Sequence, residues 1–188
     1  YSESMILDTN DFQNALCYYG VTHLQLVPSY ILNLLETGSR KGLEDLRYFL
    51  VTGEAATISL LESWFASFPS IAVVNAYGPA EASDDVSLHI MYEAPSGVVV
   101  PIGKPVANMQ LYVVDAYDNL CPIGVVGELW VSGVGVGRGY LNREELTQEK
   151  FIANPFAGGD RIYKTGDLVR WLADGSLEFI GRKDNQVK

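Results

Sequence analysis

Apolar residues recur at helical spacing three times in the first half of the chain, and a short apolar run of strand length follows each stretch. Phe12, Leu16 and Tyr19 predict a helix over 11–19 that Gly20 ends, followed by a strand-like run over 21–27. Pro28 suits the first turn of a second helix with Ile31, Leu32, Leu34 and Leu35 as its apolar face and Gly38 as its stop. Residues 46–52 then read as a buried strand. Ser59 is placed to cap a third helix carrying Leu60, Leu61, Trp64 and Phe65. Pro69 terminates it, and 71–76 is again strand-like. Such alternation predicts a parallel sheet with covering helices.

The texture changes after about residue 86. Short β-rich runs at 98–100, 110–114, 128–132, 169–172 and 177–180 are separated by Gly, Pro and Asp-Gly turns, and Asp174-Gly175 predicts a two-residue hairpin loop. Only 143–151, with Leu146 and Phe151 as apolar positions, reads as helical there. A boundary is expected near 86–96, where Ala94-Pro95-Ser96-Gly97 also breaks the chain.

Composition narrows the function. A formal net charge of −10 argues against a broad basic surface for nucleic acid, although a nucleotide can still be held by backbone N–H groups, a metal ion and one or two local cations. No apolar run approaches the roughly 20 residues that span a bilayer. The start, Tyr1 to Ser4, shows no basic region followed by an apolar one, so a cytoplasmic setting is expected. Cys17 and Cys121 have neither disulfide-framework nor zinc spacing and are expected to be reduced, partly buried thiols. His23 and His89 lack metal-ligand spacing, and no GxSxG elbow is present.

Four polar, glycine-punctuated segments stand out, in this order: Asn75-Ala76-Tyr77-Gly78-Pro79-Ala80-Glu81; Gly127-Glu128-Leu129-Trp130 running on to the glycine-rich 133–141; Tyr163-Lys164-Thr165-Gly166-Asp167; and 181–188, which opens Gly181-Arg182-Lys183-Asp184. The first leaves the end of a strand-like segment, where ligands bind in open α/β sheets, and the third, with Thr165-Gly166-Asp167, reads as a polar turn. The run from Gly133 to Gly139 contains no GxGxxG register, which removes a dinucleotide-binding reading; its glycines are expected to serve tight turns and close backbone approach. Val100-Pro101-Ile102-Gly103-Lys104-Pro105 is a further turn with no catalytic role expected.

Taken together, these motifs resemble those of adenylate-forming enzymes, and the chain is most similar to the amino-acid adenylation domain of nonribosomal peptide synthetases. The resemblance implies an α/β fold of the acetyl-CoA synthetase-like kind, incomplete here. Residues 1–88 would be part of a flavodoxin-like parallel sheet with covering helices, 89–181 a β-barrel-like subdomain, and 182–188 the start of a hinge at Asp184. It implies ATP and Mg2+ as cofactors, with Glu81 as the catalytic metal-binding carboxylate. Tyr77 would lie against the adenine, Asn75 near its exocyclic amine, Asp167 on the ribose hydroxyls and Arg182 close to the ribose. Ala76, Gly78 and the backbone of Gly53-Glu54-Ala55 would complete the nucleotide site. An amino-acid pocket would draw on Gln25, Val51, Gly53, Ala76, Asp84 and Asp85, which favours a polar or cationic substrate side chain.

The resemblance also implies a carrier domain with a phosphopantetheine thiol and a condensation domain as partners, and neither nucleic acid nor membrane. Ala80 stands where the family usually has Thr, which is read as tolerated variation. The family's upstream phosphate loop and substrate-amine Asp, and its downstream lysine, are not among these residues. The 188 residues are therefore expected to be the middle of a larger domain, inactive in isolation. An acyl-CoA or aryl-acid ligase, or a noncatalytic binding or scaffold fragment, are the alternatives.

Overall fold

The computed structural model describes residues 8–37 and 43–184. The expected helix stop at Gly38, the start at Tyr1 to Ser4 and the last four residues of the final motif lie outside these residues. The chain forms two compact units, 1–75 with 90–100, and 76–89 with 101–188. The division thus falls between Asn75 and Ala76, inside a strand, with 90–100 belonging to the first unit.

In the first unit, helix α1 (Thr9–Tyr18) begins two residues before its expected start because Asp8 caps it, accepting from the N–H groups of Asn10 (2.9 Å) and Asp11 (3.1 Å). Gly20, at φ +59°, ends it as expected. Strand β1 (His23–Leu26) precedes helix α2 (Pro28–Thr37), which buries Ile31 and Leu34 but leaves Leu32 44% exposed, so the apolar face is narrower than expected.

After strand β2 (Tyr48–Val51), helix α3 (Ile58–Ser67) is capped by Thr57, not by Ser59: the Thr57 hydroxyl accepts from Leu60 N–H at 3.3 Å. Ser59 falls inside the first turn, because the helix starts earlier than its apolar face does. Strand β3 (Ala72–Tyr77) is buried at every residue, as a central parallel strand must be. Strands β1, β2 and β3 pair in parallel, with Leu24 opposite Phe49 and Phe49 opposite Val73. Trp64 stacks on Phe49 with ring centroids 4.0 Å apart and donates its indole N–H to Ile71 O at 3.3 Å. Met91 and Val100 join this core.

The β-rich half is an antiparallel sheet in the second unit. Strands β6 (Met109–Val114), β7 (Gly127–Gly133), β9 (Arg161–Trp171) and β10 (Leu177–Arg182) run in the order β10-β9-β7-β6, and β8 (Phe151–Ala153) pairs with β9. Strand β4 (Ser87–Met91) pairs through Ser87 and Leu88 with the short β5 (Lys104–Pro105). Helix α4 (Glu144–Lys150) matches its expected span closely, but 98–100 forms no strand and Val98 is 95% exposed.

The Asp174-Gly175 turn differs in detail from a two-residue loop. Leu172 N–H bonds Ser176 O at 2.8 Å, leaving three residues in the loop, of which only Gly175 has positive φ. Asp174 instead accepts from the N–H and hydroxyl of Ser176, and these bonds hold its carboxyl below the usual carboxylate range. Leu111, Val113, Leu129, Val131, Val169 and Leu177 form the core of this unit.

Truncating Trp64 to Ala removes a fully buried, stacked ring, so W64A is expected to cost about 3–5 kcal/mol. Urea unfolding followed by circular dichroism checks this: the midpoint should fall, with the slope unchanged.

Candidate nucleotide site

Strand β9 creates the site by failing to stay regular. Opposite β7 its register runs from Lys164 with Trp130 to Leu168 with Glu128, so Thr165, Gly166 and Asp167 together face Leu129. The Tyr163–Asp167 segment is therefore a bulge inside a strand, not the turn expected from its sequence. Gly166 takes φ +77°, a conformation that a Cβ disfavours, and an added Cβ would also lie 2.9 Å from Arg182 Nη2. The Thr165 hydroxyl donates to Leu129 O at 2.7 Å and accepts from Asp167 N–H at 3.0 Å. Gly166 N–H donates to Glu128 Oε1 at 3.0 Å, and Lys183 Nζ sits 3.3 Å from Glu128 Oε2. These contacts fix the bulge from both sides.

The bulge aims Asp167 inward, where it is 2% exposed. One carboxylate oxygen accepts from the Tyr77 hydroxyl; the other accepts from Arg182 Nη1 at 2.9 Å. Arg182 is also gripped by Asp184, through Nε and Nη2 at 2.8 Å each, and gives Nη1 to Thr165 O at 3.1 Å. The bidentate Asp184 carboxylate is the leading reason that the guanidinium is held above its ordinary pKa. Burial, then the charge of Asp167, pushes the Tyr77 phenol well above its usual value, so it is a donor at neutral pH. Its ring packs toward Phe179 at 6.2 Å.

Beyond Tyr77 the chain folds back tightly: Val86 N–H donates to Tyr77 O at 2.8 Å, and a Cβ on Gly78 would lie 1.4 Å from Asp84 O. Only glycine fits there. Residues 80–82 form a single 3-10 turn carrying Glu81, and Ala80 is exposed at its start. The glycine run packs against this turn. Gly137 N–H donates to Glu81 O at 2.8 Å, Ser83 Oγ donates to Gly135 O at 2.8 Å, and a Cβ on Gly135 would lie 2.9 Å from Ala82 O. Glu81 Oε1 accepts from the Tyr140 hydroxyl at 2.7 Å, and Tyr140 lies 3.3 Å from the Tyr163 hydroxyl.

Tyr77, Ala76, Gly78, Glu81, Asp167, Arg182 and Asp184 thus belong to one unit, with Tyr77, Asp167, Arg182 and Asp184 in a single bonded cluster. Asn75, buried, closes the first unit. Gly53, Glu54 and Ala55 also lie in the first unit, exposed after β2. There the Glu54 carboxylate is engaged by the start of α2, accepting from Ser29 N–H (3.1 Å) and Ser29 Oγ (2.9 Å). Of the expected pocket residues, Gln25 is exposed and Val51 is 1% exposed within the apolar core; Asp84 is exposed and left-handed at φ +71°, and Asp85 is half-buried. Gln25, Val51 and Gly53 belong to the first unit and Ala76, Asp84 and Asp85 to the second.

Glu81 suits a magnesium ion held by one protein carboxylate together with phosphate oxygens and water. Among the described residues no group of three or more His, Cys, Asp or Glu is gathered for a metal. Cys17 and Cys121 are free thiols, each pushed up in pKa first by burial. Among the described residues no helix is long and apolar enough to cross a membrane.

Sequence reasoning gave no role to Tyr140, Tyr163, Thr165 or Glu128. A signal existed: a period of two already places Tyr163, Thr165 and Asp167 on one strand face, and all three are buried.

The profile described as AMP-binding enzyme matches residues 2–141. The chain belongs to the AMP-binding enzyme family. It is 46% identical over 168 residues to tyrocidine synthase 3 of Brevibacillus parabrevis, covering 89% of this chain and 3% of that protein. It is 45% identical over 167 residues to bacitracin synthase 3 of Bacillus licheniformis, covering 89% of this chain and 3% of that protein. The solved structure of PA1221, an NRPS protein containing adenylation and PCP domains, superposes with a TM-score of 0.86 at 27% identity, over 95% of this chain and 36% of that one. Its holo form bound to a vinylsulfonamide inhibitor gives 0.89 at 28% identity, over 96% of this chain and 32% of that one. This AMP-binding family member therefore spans a small share of the curated relatives' length and about a third of the solved chains, and its α/β fold with a second sheet is that of adenylation domains.

The raised phenols of Tyr77, Tyr140 and Tyr163 set an alkaline limit. Their folded-state values exceed the unfolded one, so their contribution to stability is fully present below pH about 10 and is lost as pH rises through the folded values. A phenolate absorbance titration should leave these three protonated past pH about 10 until the chain unfolds; Y77F, Y140F and Y163F should each remove one late-titrating group.

Proposed function

We propose that this chain is the central part of an adenylation domain that activates an amino acid with ATP. A carboxylate oxygen of the amino acid attacks the α-phosphorus, the bond to the departing pyrophosphate breaks, and an aminoacyl-adenylate remains. The aminoacyl group then passes to a phosphopantetheine thiol on a carrier domain, the thiol sulfur forming a thioester as the acyl–phosphate bond breaks and AMP leaves, with condensation domains as further partners in a multidomain synthetase. The observation that carries this reading is the buried Asp167 held between the Tyr77 hydroxyl and Arg182, on the three motifs the resemblance assigns to adenine and ribose.

A ribose hydroxyl reaching Asp167 would meet a carboxylate already oriented by a phenol and a guanidinium, so little reorganisation accompanies binding. Arg182 brings a guanidinium to the site, where it is matched by Asp167 and Asp184. Glu81 would hold Mg2+, which neutralises phosphate charge. With such groups placed in advance, the work of the protein is positioning and charge stabilisation. Asp84 and Asp85 favour a polar or cationic amino acid.

The test is amino-acid-dependent ATP–pyrophosphate exchange by the complete domain containing this chain, with the 188-residue chain in parallel. Exchange by the complete domain alone is expected; silence across the amino-acid panel would sink the reading. D167A should lower kcat/KM for ATP about 10- to 100-fold, through loss of hydrogen bonds to a charged acceptor. The panel should peak at a polar or basic amino acid, and D84N/D85N should flatten that preference; a preference for Leu or Val unchanged by the double substitution would remove the acidic pocket.

A further inference from the structure

The segment 137–140 grips Glu81 at two points. Its backbone does so through Gly137 N–H to Glu81 O at 2.8 Å, and its side chain through the Tyr140 hydroxyl to Glu81 Oε1 at 2.7 Å. Tyr140 is itself braced. Its N–H donates to Thr147 Oγ1 at 2.9 Å, and its ring stands edge-on to Phe151 with centroids 5.4 Å apart. Phe151 packs on Tyr163 at 4.8 Å, which brings the Tyr163 hydroxyl within 3.3 Å of that of Tyr140. At the preceding residue, an added Cβ on Gly139 would lie 2.3 Å from Thr147 Cγ2, so that glycine lets the chain press onto α4.

Glu81 stands on a single 3-10 turn with no side-chain cap. A glutamate side chain on such a short element has several rotamers open to it, and a phenol donating to an ionised oxygen supplies the missing restraint. The bond has a fixed direction, the Tyr140 hydroxyl donating and the Glu81 carboxylate oxygen accepting.

We propose that Tyr140 is a positioning residue for Glu81, holding one carboxylate oxygen so that the other is presented to the metal–nucleotide, with Tyr163 as the outer member of the same hydrogen-bond chain. The proposal rests on the reading of Glu81 as the metal ligand. Tyr140 does not touch the reacting atoms; it acts through Glu81.

A double-mutant cycle separates this role from a merely structural one. In the complete domain, the Mg2+ concentration for half-maximal ATP binding is measured by calorimetry for wild type, Y140F, E81Q and the double variant. Y140F keeps the ring on Phe151 and is expected to raise that concentration roughly tenfold when Glu81 is present, and to change it little in E81Q. Y163F, which leaves the Tyr140 bond in place, should raise it about threefold, again only with Glu81 present. Equal losses in both backgrounds overturn the role of Tyr140 and leave adenylation standing. Absence of Mg2+-dependent ATP binding in the wild-type domain overturns the metal-ligand reading and this proposal with it.

Discussion

A carboxylate held at 2% exposure has to be matched by donors within the fold, and around Asp167 much of the second unit is arranged to provide them. Arg182 arrives from β10, Tyr77 from the end of β3, and the bulge that turns Asp167 inward needs a glycine at 166 and the Thr165 hydroxyl inside the strand pair. Sequence-distant segments are thereby locked in one register, and the chemistry assigned to this site uses the same groups that hold it together.

Glycine has a similar double use around Glu81. A β-carbon at Gly135 would press on Ala82 O and one at Gly137 on Glu81 O, so the run after β7 can lie flat against the short turn that carries the carboxylate. Close backbone approach replaces side-chain packing there. Gly137 N–H and Tyr140 then fix a residue that the turn alone leaves free to rotate.

Long-range organisation was legible where periodicity is strong. The helices at 9–18, 28–37 and 58–67 and the buried strand β3 followed from apolar spacing, because such faces must be covered wherever the chain goes. Local chemistry was less legible. Thr57, not Ser59, caps α3, since the cap is decided by the first N–H groups left over and not by the first apolar residue. Residues 163–167 looked like a turn because Thr-Gly-Asp commonly makes one, whereas the pairing of β9 with β7 and β8 stretches the segment into a bulged strand. Glu54 resembled part of a ligand-facing loop, yet its carboxylate meets the open N-terminus of α2.

The sequence by itself determined the alternation of helix and strand in the first half, the β-rich second half, the order of the four motifs and the acidic charge, because spacing, turn residues and composition are local properties. Tertiary structure alone decided that Tyr77, Asp167 and Arg182 share one hydrogen-bonded cluster, that Asp184 grips the same arginine, and that Tyr140 bonds Glu81 across 59 residues of chain. Those contacts depend on strand register and on one bulge. A shift of a single residue there would turn the same side chains to the opposite face of the sheet.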